Sequence, residues 1–303
     1  MTNRRVFFKQ ASMLVAGGVL GGSILSSCGG GGSKGSASTA AKKHIGLQLY
    51  SLREDINDIG IVKVLEAVAK MGYVNLETAN YNGTTGQFYN MDPAEFKKIV
   101  DDLGMRATSS HLSRNLSNNR DEDMNWWNKA VDAHASAGMK YMVMPASPLE
   151  SEEVPVTMDD VKRYCEYFNS IGLITAGVSI AFGYHNHDGE FNNKIDGVPV
   201  YDLMIENTSP NHVLFQNDVY WTKFGGCDPL EYLKKYPNRI KLLHIKDEKA
   251  IGASGNIDFK PIFDQAYANG VKDWYVEVED YIGTPQEDVK QSYDFLNAAD
   301  YVK

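Results

Sequence analysis

The chain has 303 residues, with 39 acidic against 30 basic side chains and a formal net charge of −9. That balance argues against a nucleic-acid partner, because neutralising phosphates takes a surplus of Lys and Arg, and it offers no electrostatic hold on an anionic membrane. Three cysteines, Cys28, Cys165 and Cys227, are too few for a disulfide framework.

The N-terminus reads as a targeting segment. Arg4-Arg5-Val6-Phe7-Phe8-Lys9 has the twin-arginine pattern, and a Gly-rich, mildly apolar stretch follows over 11–25. Leu25-Ser26-Ser27-Cys28 resembles a bacterial lipobox, whose cysteine is lipidated after cleavage. The stretch is too short and too rich in Gly and Ser to span a bilayer. Residues 29–43 are a Gly/Ser-rich tether. The expectation is a bacterial lipoprotein, exported to the cell envelope and touching the membrane only through lipidated Cys28, with one folded domain over 44–303.

From residue 44 onward, apolar runs alternate with amphipathic stretches. Residues 45–50 (IGLQLY) read as the first strand, followed by a helix carrying Ile61, Val62, Val64, Leu65 and Val68. The second strand is 73–77 and its helix 93–103, with Asp92 as N-cap and Pro93 in the first turn. The third strand, 105–111, leads to a helix from Trp126-Trp127 through Ala135. The fourth, 140–145, precedes a helix over 158–173. Strands five to eight are 184–191 (YHNHDGEF), 213–221 (VLFQNDVYW), 240–247 (IKLLHIKD) and 274–280 (WYVEVED), with helices near Tyr201, Leu230, Ile262 and Tyr293. Strand–helix alternation predicts a parallel sheet, and eight units in a domain of this size predict a closed (β/α)8 TIM barrel. No Gly-rich phosphate loop follows the first strand, which argues against an open dinucleotide-binding sheet.

Every second residue of a barrel strand points inward, so polar residues at i and i+2 near a C-terminal strand end share the mouth. The chain carries such pairs at Gln48/Tyr50, Asn75/Glu77, Ser109/His111, His185/His187, Gln216/Asp218, His244/Lys246 and Glu277/Glu279. Strand ends that merely exit into solvent account for one or two such pairs, not for seven. Strand four has Met142 and Met144 instead and reads as an apolar wall of the pocket. His185, Asp218, His244 and Glu277 stand 33, 26 and 33 residues apart, close to the roughly 30 of one strand–helix unit. Two carboxylates and two imidazoles at one mouth make a divalent metal site, its mixed donors suited to Mn, Zn, Fe or Co.

These residues resemble the xylose isomerase-like barrels, the family of sugar phosphate isomerases and epimerases. The resemblance covers nearly all of 44–303. It rests on YHNHDGEF, Asp218 at a strand end, HIKD at His244, Gly255-Asn256-Ile257-Asp258-Phe259 and Glu277, in that order. It implies metal ligands at the ends of strands five to eight, which here are His185, Asp218, His244 and Glu277. It also implies a metal-dependent isomerase or epimerase acting on a sugar or keto-sugar through an enediolate. Two departures stand out. The family's epimerases set a strand-five Glu against the strand-eight Glu as opposed bases, whereas this chain has His185, with Glu190 five residues on as a group that could swing in. They also carry His three residues after the strand-six Asp, where this chain has Trp221. Loss of the second Glu makes a dehydratase or lyase, eliminating from a keto-sugar or keto-glycoside, the alternative. An endonuclease of the same superfamily would need a basic face that this composition does not supply. A non-catalytic sugar-binding lipoprotein would not need four ligands in register.

Glu277, Lys246 and Glu190 are the candidate catalytic residues. Lys246 shares a strand face with His244, and its amine pKa is expected to fall beside a cation. Gln48, Tyr50, Glu77, His111, His187 and Trp221 are expected to bind substrate, with amide, phenol and imidazole groups for hydroxyls and an indole face for ring C–H groups. Lys246 and Lys249 alone do not make a phosphate cradle, so an unphosphorylated sugar, polyol or keto-glycoside is the expected substrate.

Overall fold

The computed structural model describes residues 43–303. The readings of residues 1–28 as a signal and of Cys28 as a lipid anchor lie outside the described residues. Eight parallel strands form the barrel: β1 Gly46–Gln48, β2 Asn75–Thr78, β3 Arg106–His111, β4 Tyr141–Met144, β5 Ala181–His185, β6 Val213–Asp218, β7 Ile240–Lys246 and β8 Asp273–Glu277. Each pairs with the next in sequence, and β8 closes on β1. Eight helices follow them in turn: α1 Ile61–Met71, α2 Pro93–Asp102, α3 Arg120–Ser136, α4 Met158–Ala176, α5 Val200–Asn207, α6 Pro229–Lys235, α7 Phe259–Ala268 and α8 Pro285–Ala298. The expected (β/α)8 TIM barrel is the observed fold.

Local chemistry explains where these helices begin and which way they face. Asp92 accepts from Ala94 N and Pro93 opens α2, while Thr157–Asp160 and Thr284–Glu287 close reciprocal capping boxes on α4 and α8. Helix α1 buries Ile61, Val64, Leu65 and Val68, one stripe at the i, i+3, i+4, i+7 spacing. The outer core lies between sheet and helices; Tyr184 of β5 packs on Phe168 of α4 at 5.3 Å, and Phe182 on Trp127 of α3 at 5.7 Å.

Four boundaries and one phase differ from the sequence reading. Strand β5 ends at His185, because the chain turns into the short helix Gly189–Asn192. Strand β6 ends at Asp218, whose side chain caps the helix Val219–Phe224 by accepting from Trp221 N. Tyr50 lies in a 3-10 turn capped by the Gln48 amide oxygen, and β8 stops at Glu277. His187, Trp221, Tyr50 and Glu279 therefore reach the mouth from loops and turns, not from strand faces. On β4 the inward residue is Val143, which packs inside the barrel with Leu242 and Tyr275, while Met142 and Met144 join the outer core. The expected methionine wall is absent from the pocket, since a shift of one residue exchanges the two faces of a strand.

Candidate metal centre

His185, Asp218, His244 and Glu277 converge. All four are buried, and their ligand atoms lie within 4.8 Å of one another. His244 Nδ1 is 3.1 Å from Glu277 Oε2 and 3.9 Å from Asp218 Oδ2. Asp218 Oδ1 accepts from Trp221 N at 2.9 Å. Its Oδ2 is buried without a partner. A buried carboxylate oxygen lacking a donor is costly, and more so with a second carboxylate beside it. A divalent ion among these nitrogen and oxygen atoms would satisfy Oδ2 and offset both charges, so the residues present fit such an ion. His111 reaches the edge of the same cluster, within range of His185 and His244.

A sealed layer of hydrogen bonds beneath the cluster orients its side chains. Glu77 Oε2 accepts from His244 Nε2, and from Gln48 Nε2 at 2.8 Å. Its Oε1 accepts from Ser109 Oγ at 2.6 Å and Gln216 Nε2 at 2.9 Å. With Nε2–H given to Glu77, His244 presents Nδ1 to the cluster, the kind of support that fixes a metal-binding imidazole. Gln216 Oε1 faces His111 Nε2 at 2.7 Å and His185 Nδ1 at 3.2 Å, which leaves His185 Nε2 for a metal. Glu77 and Gln48 are both fully buried within this layer, so neither is exposed to the cavity, where they were expected to meet sugar hydroxyls. Burial alone would depress His244, but the carboxylates of Glu77 and Glu277 outweigh it and raise the imidazole to about 10. Burial, reinforced by His244 and His111, pushes His185 well below the usual histidine range.

The candidate proton carriers divide. Lys246 is buried, with Nζ 3.8 Å from Glu277 Oε2 and ion-paired to Glu279. Burial would lower its amine, yet Glu277, Asp218 and Glu279 outweigh that and hold it above the ordinary lysine value. The expected fall in its pKa is thus not produced by the protein's own groups. Glu190 is fully buried and turned away from the cluster. Its carboxylate accepts from Tyr184 OH at 2.6 Å and from His187 N at 3.0 Å, and Tyr184 faces the helix layer. An inward swing of Glu190, which its closeness to His185 in sequence left open, would break both bonds, and in this structure the residue ties down the β5 loop.

A cavity of about 370 Å³ opens above the cluster, lined in part by Tyr50, Tyr81, His111, His185, His187 and Glu277. His187 Nδ1 pairs with Glu150 Oε2 at 3.0 Å, and its ring meets Trp221 at 5.6 Å. Burial lowers His187, but Glu150 and Glu190 more than reverse this and raise it to about 9. Tyr81, whose hydroxyl is buried without a partner, was not a sequence candidate. It arrives on the hairpin formed by Tyr81–Asn82 and Gln87–Phe88, and only its position just beyond the β2 end hinted at the mouth.

Fold and cluster define a (β/α)8 barrel whose mouth carries side chains that could hold a divalent ion. The chain belongs to the xylose isomerase-like TIM barrel family, whose model matches residues 65–299. Among solved structures it is similar to a sugar phosphate isomerase/epimerase from Parabacteroides distasonis, at 38% identity and a TM-score of 0.79, over 88% of this chain and 100% of that one. Among curated proteins it is similar to the inosose dehydratase of Geobacillus thermodenitrificans, 24% identical over 72% of this chain and 82% of that one. The inosose dehydratase of Clostridium tetani is 27% identical over 44% of this chain, which spans about half of that relative's length, 52%. The family implies a small carbohydrate as substrate.

Proposed function

We propose that this chain is a divalent-metal-dependent enzyme that deprotonates a keto-sugar or keto-polyol beside its carbonyl. The observation that carries this reading is the buried His185–Asp218–His244–Glu277 quartet with its partnerless Asp218 oxygen, opening onto a cavity sized for one sugar ring. A divalent ion held there would polarise the carbonyl oxygen and offset the negative charge that develops as the neighbouring C–H loses its proton. Lys246 is the proton carrier. With a divalent ion bound, Lys246 would lose the support of Asp218 and Glu277, and its amine would fall from its raised value toward the range in which a proton can be taken and returned. His111 faces the ring hydroxyls, the Tyr81 ring supplies wall only, since its hydroxyl is buried, and His187, held as a cation by Glu150, is a proton donor on the cavity wall.

A lyase outcome is favoured by one observation. With His185 in the cluster, Glu190 bound to Tyr184, Glu279 paired with Lys246 and Glu150 paired with His187, no second free carboxylate among the described residues opposes Glu277. Two opposed carboxylates are what an epimerase of the expected type uses, whereas one carrier plus a donor for the departing oxygen suffices for β-elimination. One carrier also suffices for isomerisation along one face of the ring. The dehydratase names of the curated relatives support the first outcome, and the isomerase/epimerase name of the solved neighbour supports the second. Export to the envelope, as read from residues 1–28, goes with an unphosphorylated carbohydrate.

Purified protein loaded with Mn, Zn or Co is to be assayed by elemental analysis, then by NMR for deuterium uptake into a panel of keto-sugars and for appearance of an unsaturated product. Lys246→Met is expected to keep its metal and to lose about 100- to 10,000-fold in exchange rate. Wild-type exchange in that variant removes Lys246 from the mechanism, and failure to retain any divalent ion removes the metal.

A further inference from the structure

A second cavity that the proposed chemistry does not use adjoins the first. It measures about 630 Å³ and is lined in part by Tyr220, Phe224, Asp247, Glu248, Lys249 and Asp280. One wall is the helix Val219–Phe224, which starts directly after the ligand Asp218. Tyr220 and Phe224 lie nearly parallel on it, 25° apart with ring centroids at 5.8 Å. Trp221 meets both at steep angles, 5.0 and 5.7 Å away. Phe224 is 63% exposed. The indole Nε1 of Trp221 is buried and has no partner, although such a group ordinarily finds an acceptor.

The two cavities are lined by neighbouring residues, Glu279 in the first and Asp280 in the second, with Lys246 and Trp221 packed between them. Lys246 Nζ lies 5.9 Å from the Tyr220 ring and 5.5 Å from the Trp221 ring, and it pairs with Glu279, which lines the first cavity. Trp221 also touches His187 of the first cavity. The aromatic helix thus runs from the metal cluster into the second cavity without interruption. Around it, Asp247 is occupied by Gly252 N and Ser254. Asp280 accepts no hydrogen bond among the described residues and is free to accept from a ligand.

We propose that this second cavity is a subsite for a second sugar ring, so that the substrate is a keto-disaccharide or larger keto-glycoside. The Tyr220–Phe224 platform covers the C–H face of a neutral glycosyl group joined to the ring at the metal cluster, and Asp280 and Glu248 accept its hydroxyls. An open aromatic face beside the free Asp280 carboxylate and Glu248, whose Oε1 already accepts from Asn256 at 2.7 Å and whose Oε2 is left for a ligand, suits a hydroxylated ring, whose faces are apolar and whose edges donate hydrogen bonds. Three carboxylates, at Asp247, Glu248 and Asp280, against Lys223 and Lys249 disfavour a phosphate in the same place. The inference rests on the enolisation reading and extends it beyond the reacting ring.

Calorimetric titration of the metal-loaded protein with cellobiose, maltose and lactose, against glucose, tests it without turnover, since none of these carries a ring ketone. At least one disaccharide is expected to bind about tenfold more tightly than glucose, a gain on the order of one ring face removed from water. Phe224→Ala should bring that ratio to within about twofold, with Tyr220→Ala acting in the same direction; thermal melts verify that both variants fold. Equal affinities for all four sugars in the wild type, or a ratio untouched by Phe224→Ala, would overturn the subsite. So would a change in sedimentation of Phe224→Ala with sugar affinities unaltered, which would make this face a contact between copies of the chain. Failure of the enolisation reading reads out separately, as no deuterium uptake into any keto-sugar while the disaccharide preference stands.

Discussion

Asp218→Asn should stabilise the chelated protein and destabilise the metal-loaded one, a reversal that a cation site produces and an ordinary polar network does not. Burial, with Glu277 adding to it and Lys246 and His244 only partly offsetting, pushes the Asp218 carboxyl up to about 7. Because the folded value lies above the unfolded one, its contribution to stability is complete below the ordinary aspartate range and is lost as pH rises through about 7. A shift of about three units at 1.36 kcal/mol each caps that loss near about 4 kcal/mol. Asn cannot ionise and escapes the loss, while its amide, placed where Oδ2 has no partner, costs about 1–3 kcal/mol. The net gain for the chelated variant at pH 8 is then on the order of 1–3 kcal/mol, or several degrees in Tm for a domain of this size. With metal at about a thousand times its Kd, the wild type gains about 4 kcal/mol that the neutral amide forfeits. Melting curves in chelator and in excess Mn, Zn or Co, at pH 5 and pH 8, give the comparison, and the chelated-state advantage should shrink at pH 5. A fall in Tm of the same size with and without metal would refute the reasoning and leave Asp218 a structural group.

Glu190→Gln should flatten the loss of stability between pH 5 and 8, because burial raises the Glu190 carboxyl to about 7 and its contribution disappears as pH climbs through that value; an unchanged slope in denaturant melts at the two pH values would contradict this. Burial lowers His134 to about 4, so its contribution is present above the ordinary histidine value and is lost as pH falls through about 4. Denaturation midpoints at pH 4.5 and 7 should therefore differ less in His134→Gln than in the wild type, by up to about 3 kcal/mol. Gly172→Ala would place a Cβ 2.0 Å from the carbonyl oxygen of His212. The forced separation of α4 from the loop before β6 should cost about 1–3 kcal/mol in chemical denaturation, and a variant as stable as the wild type would show that this contact is loose.

The barrel and the four cluster residues were legible because both depend on local periodicity. Apolar runs separated by helical stripes define the units, and a polar residue ending each of four successive runs lands at the same mouth once the sheet closes. Strand four shows the limit. Val143 and its neighbours Met142 and Met144 are all apolar, so hydrophobicity could not choose which faces inward; pairing with β3 and β5 fixed the phase, setting Val143 opposite His111 and Gly183. Glu190 is close to His185 in sequence, but the helical turn Gly189–Asn192 aims it outward at Tyr184. Gln48 and Glu77 show the same limit in the site itself. A polar strand end reads alike whether it lines a cavity or is sealed below it, and what decides is the partner: Glu77 meets Gln48 across 29 residues of chain, Gln216 across 139 and His244 across 167. The sequence determined which residues share a period and hence a mouth. Only the closed barrel decided which buried donor meets which acceptor, because those bonds join strands that periodicity leaves unrelated.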